Sequence, residues 1–260
     1  MKKYSSTKEE VILLGKWTPE KLDDLLHKSS DIDDTGIRID YLSKQFLGTP
    51  YRESTLLGDT NTPEIFVINL EAVDCFTFLD YIESMRRSFS FDEFRENLRK
   101  VRYRGGEINF KNRNHFFTDW YEFNSNFIDG VTEQLGGGKV IAVMKLLNQK
   151  DDGTYFLLGI QPKERVIRYI PASAIDELLI SQLRTGDYIG IYSERKGLDV
   201  SHVGIFIKEE NKTYLRHASS LKKYRKVIDQ DFKNYIAKKP GILVFRSKKS
   251  QWLYLKKDIN

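Results

Sequence analysis

The apolar positions change their period once along the chain, and the change divides it. Up to residue 48 the pattern is helical. Thr7 with Glu10 makes a capping box, Thr18-Pro19-Glu20 makes an N-cap with proline at the first helical position, and Ile37 to Leu47 is helix-compatible with Gly48 as its stop. Thr49-Pro50-Tyr51 breaks regular structure, and a polar loop runs to Pro63. Ile65 to Leu70 is a continuous apolar run, read as a buried strand or an extended lead-in. Asp74 then caps a helix whose stripe is Phe78, Leu79, Ile82 and Met85, with Cys75 in its first turn. The segment 89–138 is rich in aromatics and Asn but weakly periodic; it reads as an insertion of helices and loops ending in a flexible Gly136-Gly137-Gly138.

From Tyr155 onward β-branched and aromatic residues dominate. Strands are expected at Tyr155 to Ile160, Val166 to Ile170, Tyr188 to Tyr192, Val203 to Ile207, Thr213 to His217 and Ile242 to Phe245. Turn chemistry such as Thr185-Gly186-Asp187 and Glu209-Glu210-Asn211 separates them. Helices followed by a run of strands, without βαβ alternation, give an α+β fold.

Composition narrows the function classes more than the fold. With 260 residues, 40% hydrophobic and 30% charged, the chain is ordinary globular material, neither collagen-like nor low-complexity, and a single domain with insertions over 1–260 fits its length as well as two domains do. The net charge of +5 favours anionic surroundings without choosing among them, and the lysine-rich runs near the C-terminus read as a solvated face. No helix-turn-helix or RNP-like pattern supports a nucleic-acid partner. No apolar run has the length of a membrane span, and Met1 to Glu10 has a basic start without the apolar stretch of a secretory signal. A single cysteine excludes an internal disulfide and a Cys-rich zinc site. With no His-Glu-x-x-His stretch, and with Gly136 to Gly138 lacking the rest of a phosphate loop, no metal or cofactor is expected.

What chemistry remains centres on that cysteine. A helix N-terminus offers unpaired N–H groups and partial positive charge, which favour a thiolate and can hold an oxyanion. On position alone Cys75 reads equally as a nucleophile or as a buried structural cysteine. A cysteine nucleophile needs a base, and four histidines are available. His27 sits among N-terminal helical residues and His115 in the aromatic insertion, whereas His202 and His217 bracket an expected hairpin. If Ile207 faces Lys212 across a loop of Lys208 to Asn211, His202 faces His217 directly on the same side of the sheet, their Cβ atoms about 5 Å apart.

Gly48-Thr49-Pro50-Tyr51, Asp74-Cys75, Ser201-His202-Val203-Gly204-Ile205 and His217-Ala218, in that order, resemble the NlpC-like branch of papain-fold cysteine hydrolases, which cut amides in bacterial peptidoglycan. The longer strings Val73 to Phe78, Asn114 to Trp120, Gly197 to Gly204 and His217 to Ser220 resemble a narrower family, the N-acetylmuramoyl-L-alanine amidase-like proteins. The resemblance implies a papain-like core, with a nucleophile helix packed on an antiparallel sheet after the helical segment 1–48. It implies Cys75 as nucleophile, His202 as general base and later acid, and His217 as the group orienting His202. Tyr51 would be a second oxyanion donor beside the Cys75 N–H; Phe76-Thr77 stands where the wider superfamily commonly has Ser-Gly. Arg113, His115 and Trp120 in the insertion would contact substrate, since aromatic faces suit sugar rings and an arginine fork suits a carboxylate.

The implied reaction is hydrolysis of the amide between N-acetylmuramic acid, or its anhydro form, and L-Ala in peptidoglycan fragments, through an acyl-enzyme. The rivals are a stem-peptide endopeptidase cutting between D-Glu and the diamino acid, and a non-catalytic wall-binding module. The implied partner is peptidoglycan or a muropeptide, and the implied compartment the cell envelope or periplasm.

Overall fold

The structure is a computed structural model that describes residues 10–210 and 212–249. In chain order it contains β1 (Glu10–Leu13), α1 (Pro19–Ser30), α2 (Thr35–Lys44), β2 (Phe66–Asn69), α3 (Cys75–Arg86), α4 (Phe91–Arg102), α5 (Phe117–Phe123), β3 (Ile128–Gly130) and α6 (Thr132–Gly136). There follow β4 (Ile141–Leu147), β5 (Lys163–Pro171), α7 (Glu177–Gln182), β6 (Tyr188–Tyr192), β7 (Val200–Glu209), β8 (Lys212–Ala218), β9 (Val227–Asp231), α8 (Phe232–Ile236) and β10 (Gly241–Ser247). One antiparallel sheet has the order β4-β5-β10-β6-β7-β8-β9, with β3 paired to β10, and β1 and β2 form a small parallel pair. The fold is α+β.

The period-two alternation of the strands sorts their side chains into two cores. On one side Leu243, Phe245, Tyr188, Val203, Ile205 and Ile207 meet helices α1 to α5 through Leu22, Ile39, Phe78, Leu98 and Phe117. On the other, Ile242, Val244, Ile189, Ile191, Phe206 and Leu215 meet α7 and α8 through Leu179, Ile180, Phe232 and Ile236. Helix α3 lies in the first core, all but its first two residues buried. Beneath it Asp80 joins Arg102 Nε (2.9 Å), while Arg102 Nη1 reaches Val67 O (2.6 Å), which pins α3, α4 and β2 together.

Several expectations stand, with shifted ends. Thr18 caps α1 and accepts from Lys21 N, with Pro19 at its first position, and the helix expected from Ile37 to Leu47 runs over Thr35–Lys44, started by Asp34, which no motif had marked. Others are corrected. Glu10 to Leu13 is a strand rather than helix: it pairs with Phe66–Asn69, and Glu10 is held by Arg95 and Arg99 of α4. Thr7, its expected capping partner, lies outside the described residues.

Tyr155 to Ile160 is not a strand. Asn148 takes up its backbone instead, donating to Leu157 O (2.9 Å) and Ile160 O (2.7 Å) and accepting from Leu157 N (2.8 Å). The apolar residues of that segment line cavities rather than a sheet face. Gly136 is no flexible linker: it closes α6 and packs so tightly that a Cβ there would stand 2.8 Å from Ile170 Cγ1. The strands β4 and β9 have no counterpart among the expected ones.

Candidate active site

Cys75 is the first residue of α3, where Asp74 caps the helix by accepting from Phe76 N (2.9 Å) and Thr77 N (2.7 Å). Thr77 Oγ1 accepts in return from Asp74 N (3.0 Å), so a full capping box fixes the cysteine's backbone. Cys75 as a residue is half-buried. The expected stabilisation of a thiolate is outweighed: burial and the Asp74 carboxylate push the thiol up to about 12, against the pull of the Val203, Cys75 and Phe76 N–H groups. The resting sulfur is therefore a neutral thiol.

The histidines meet, though not in the expected register. Glu209 pairs with Lys212 and Ile205 with Arg216, so the hairpin is shorter at its tip and the register lies two residues from the expected one. A shift of two keeps the face and converts direct opposition into a diagonal. His202 Nε2 lies 2.7 Å from His217 Nδ1, with the rings nearly perpendicular at 88°. Space for this contact comes from Gly204, where a Cβ would stand 3.0 Å from His217 Cβ. Burial holds His202 down at about 3 and His217 at about 4, so both imidazoles are neutral near pH 7.

Cys75 and His202 line one cavity of about 250 Å³, together with Phe76, His115, Phe117, Phe156, Leu157, Leu198 and Val203. A second cavity of about 570 Å³ shares Phe156 and Leu157 with it and is lined by Asp59, Asn61, Asp74, Phe110 and Arg113. Two tyrosines are near enough to Cys75 to be affected by it. Tyr51 is raised to about 12, first by burial and then by its neighbours Cys75 and Asp74, so its hydroxyl is a donor at neutral pH. Tyr235 of α8, which no sequence motif pointed to, is raised to about 12 by burial and Cys75, and its ring lies 5.3 Å from that of His217.

The insertion residues divide. His115 reaches the cavity, oriented by Nε2 against Phe110 O (2.7 Å) and by the Phe110 ring edge. Arg113 borders the second cavity, but its fork is engaged: Nε donates to Glu64 Oε1 (3.0 Å), and Nη2 bonds Glu64 Oε2 and Gly58 O (3.3 Å). Trp120 is not brought to either cavity. It is 1% exposed, packs against Phe117 and Tyr188, and donates from Nε1 to Asp80 (3.1 Å). Its expected contact with a sugar is corrected to a core role, because its indole N–H finds a partner only in the α3 carboxylate. Trp120→Phe is therefore expected to lower stability by about 2 kcal/mol in a urea melt and to leave KM unchanged within about twofold.

Other polar residues around these strings hold the site together. Asp199 accepts from Thr118 N (2.7 Å), Thr118 Oγ1 (2.9 Å) and Val200 N (2.7 Å), which ties the start of β7 to α5. Lys145 bonds Ser193 O, Arg195 O (3.0 Å) and Leu198 O (3.0 Å), closing the loop before β7. The sequence signal for Asp199 was its place in the longer string; Lys145 had none. Among the described residues no three His, Cys, Asp or Glu side chains converge as metal ligands, and no helix is long and apolar enough to cross a membrane.

A hydrolase site on this fold agrees with comparison to known proteins. Residues 41–242 match the family model of the AmiA-like, N-acetylmuramoyl-L-alanine amidase-like proteins, and the chain belongs to that family. Among solved structures it resembles a Legionella pneumophila protein, with a TM-score of 0.75, 24% identity, and 88% of this chain and 94% of that one covered; this likeness concerns the fold. It also resembles an N-acetylmuramoyl-L-alanine amidase from Bacteroides uniformis, with a TM-score of 0.67, 27% identity, and 83% and 99% covered. A second structure under the same description gives a TM-score of 0.64, 26% identity, and 80% and 97% covered. No curated protein sequence matches significantly. The protein is an amidase-like hydrolase.

Proposed function

We propose that the protein is a cysteine-dependent hydrolase of peptidoglycan fragments that cuts the amide between N-acetylmuramic acid, or its anhydro form, and L-Ala. The observation carrying this reading is the meeting of a helix-capped thiol and an imidazole, itself held by a second imidazole, at one cavity. We further read α3 and the sheet as a papain-like, NlpC-like core within one domain, with 89–138 as the element that shapes the substrate groove.

In the mechanism the Cys75 thiol gives its proton to His202 as sulfur attacks the lactyl carbonyl, since neither group is ionised at rest. The oxyanion is met by the Cys75 N–H and the Tyr51 hydroxyl. Collapse breaks the C–N bond, and His202 protonates the departing L-Ala amine. Water, deprotonated by His202, then attacks the thioester, releasing the muramic carboxylate and restoring the thiol.

The pH profile follows from the sign of these shifts. The base works as neutral imidazole, and its pKa is depressed, so protonation removes activity only in strong acid. Between roughly pH 5.5 and 7.5 kcat/KM is expected to vary less than about twofold; an acid limb near the ordinary histidine value would contradict this.

Digestion of a defined muropeptide, followed by mass spectrometry, tests the bond cut. Free sugar plus an intact peptide beginning with L-Ala is the expected pair. A product cut between D-Glu and the diamino acid would assign the endopeptidase reaction instead, and no product would leave only a wall-binding module.

A further inference from the structure

Three adjacent strands carry a continuous polar diagonal. His202 on β7 contacts His217 on β8, and His217 Nε2 lies 2.7 Å from Gln230 Oε1 on β9. Both steps have the same geometry. His217 pairs with Ile228, so Gln230 stands two residues beyond its direct partner, as His202 stands two residues beyond Gly204 on the other side. Such diagonals are spanned by long side chains, and on a twisted sheet they are the offsets that bring polar tips end to end.

The direction of the hydrogen bonds along this line is decided at its far end. A carboxamide oxygen only accepts, so His217 must donate from Nε2 and carry its lone pair on Nδ1. His202 must then donate from Nε2, which leaves its Nδ1 unprotonated. That nitrogen is the only one on the His202 ring not engaged by His217, and so the one able to receive the Cys75 proton. Were the Gln230 amide reversed, each bond would reverse with it and His202 would hold a proton where a base must have none.

We propose that Gln230 is a positioning residue that sets the tautomer of both histidines and so makes His202 a base. This rests on the reading of Cys75, His202 and His217 as the reacting set. Other groups facing His217 cannot substitute. Asp229 is turned to Arg216 (2.8 and 2.9 Å), Tyr235 presents its ring, and Lys239 stands over that ring at 4.8 Å. From α3, Cys75 bears on this cluster through its effect on Tyr235.

Gln230→Met removes the acceptor at nearly constant size, and Gln230→Glu keeps an acceptor while adding charge. Met is expected to lower kcat by about 10- to 100-fold with KM within about twofold. Glu is expected to keep kcat within a few-fold but move the acid limb upward by about one pH unit or more, because a carboxylate favours imidazolium. Nitrogen-15 spectra in the Cys75→Ala background read the tautomer without turnover: His217 should be protonated at Nε2 and bare at Nδ1, and Gln230→Met should blur that preference. Protonation of His217 at Nδ1 in the parent overturns the proposal, as do unchanged kcat and acid limb in both variants of an enzyme that Cys75→Ala inactivates. Full activity in Cys75→Ala would instead remove the functional reading, and the spectra would still decide the tautomer.

Discussion

Cys75→Ala should lower kcat/KM on muropeptide by on the order of 10⁴-fold or more while leaving the melting curve in place. The size follows from the role. Without sulfur no acyl-enzyme forms, and water, with only His202 and the hydrogen-bond donors to help, would have to attack the unactivated amide directly. The unchanged fold follows from the structure: Asp74 and Thr77, not the thiol, make the cap, and the methyl group that remains fits a half-buried position at the helix start. Replacing the cap instead separates the two effects. Asp74→Ala should cost about 1 kcal/mol of stability and lower activity only partially. A Cys75→Ala protein that retains turnover within about tenfold would end the covalent reading.

Asp80→Ala should be the most damaging single change away from the cavity. It leaves Arg102 buried without its carboxylate and Trp120 without an acceptor, and breaking one side of a buried pair costs about 3–5 kcal/mol. For a chain of this length that corresponds to a fall in Tm on the order of 10 °C. Because Asp80 fastens α3 to α4 and β2, the loss would also loosen the helix that presents Cys75. The double change Asp80→Leu with Arg102→Met should be milder than the sum of its single effects, since removing both charges leaves neither uncompensated. A shift below about 2 °C in Asp80→Ala would mean that the pair is not a fastening.

Local chemistry was readable wherever one residue type decides the backbone. Thr18-Pro19 and Asp74 mark helix starts because their side chains or rings act on the next turn alone. The parity of His202 and His217 was readable because side chains alternate strictly along strands. Their register was not, because it depends on where the hairpin turns: Glu210 enters the left-handed region at φ 45°, which shortens the tip.

Long-range partners were equally hidden. Glu10 to Leu13 is a strand only because Phe66 to Asn69 offers an edge, and Tyr155 to Ile160 is not one because Asn148 occupies its backbone. In the insertion, sequence types alone could not separate His115, which reaches the cavity, from Trp120, which serves Asp80. Gln230 stood in an Asp-rich stretch with no strand signature, and its meaning appears only when β9 is laid beside β8.

The most direct measurement is the mass of the protein itself during turnover. Acid-quenching the enzyme with a defined anhydromuramyl peptide and measuring the protein intact should reveal a thioester adduct equal to the sugar-bearing acyl group, located on Cys75 by peptide mapping and absent from Cys75→Ala. An adduct heavier than the anhydromuramyl acyl group by L-Ala-D-Glu, or rapid product release with no adduct and no dependence on Cys75, would contradict the account.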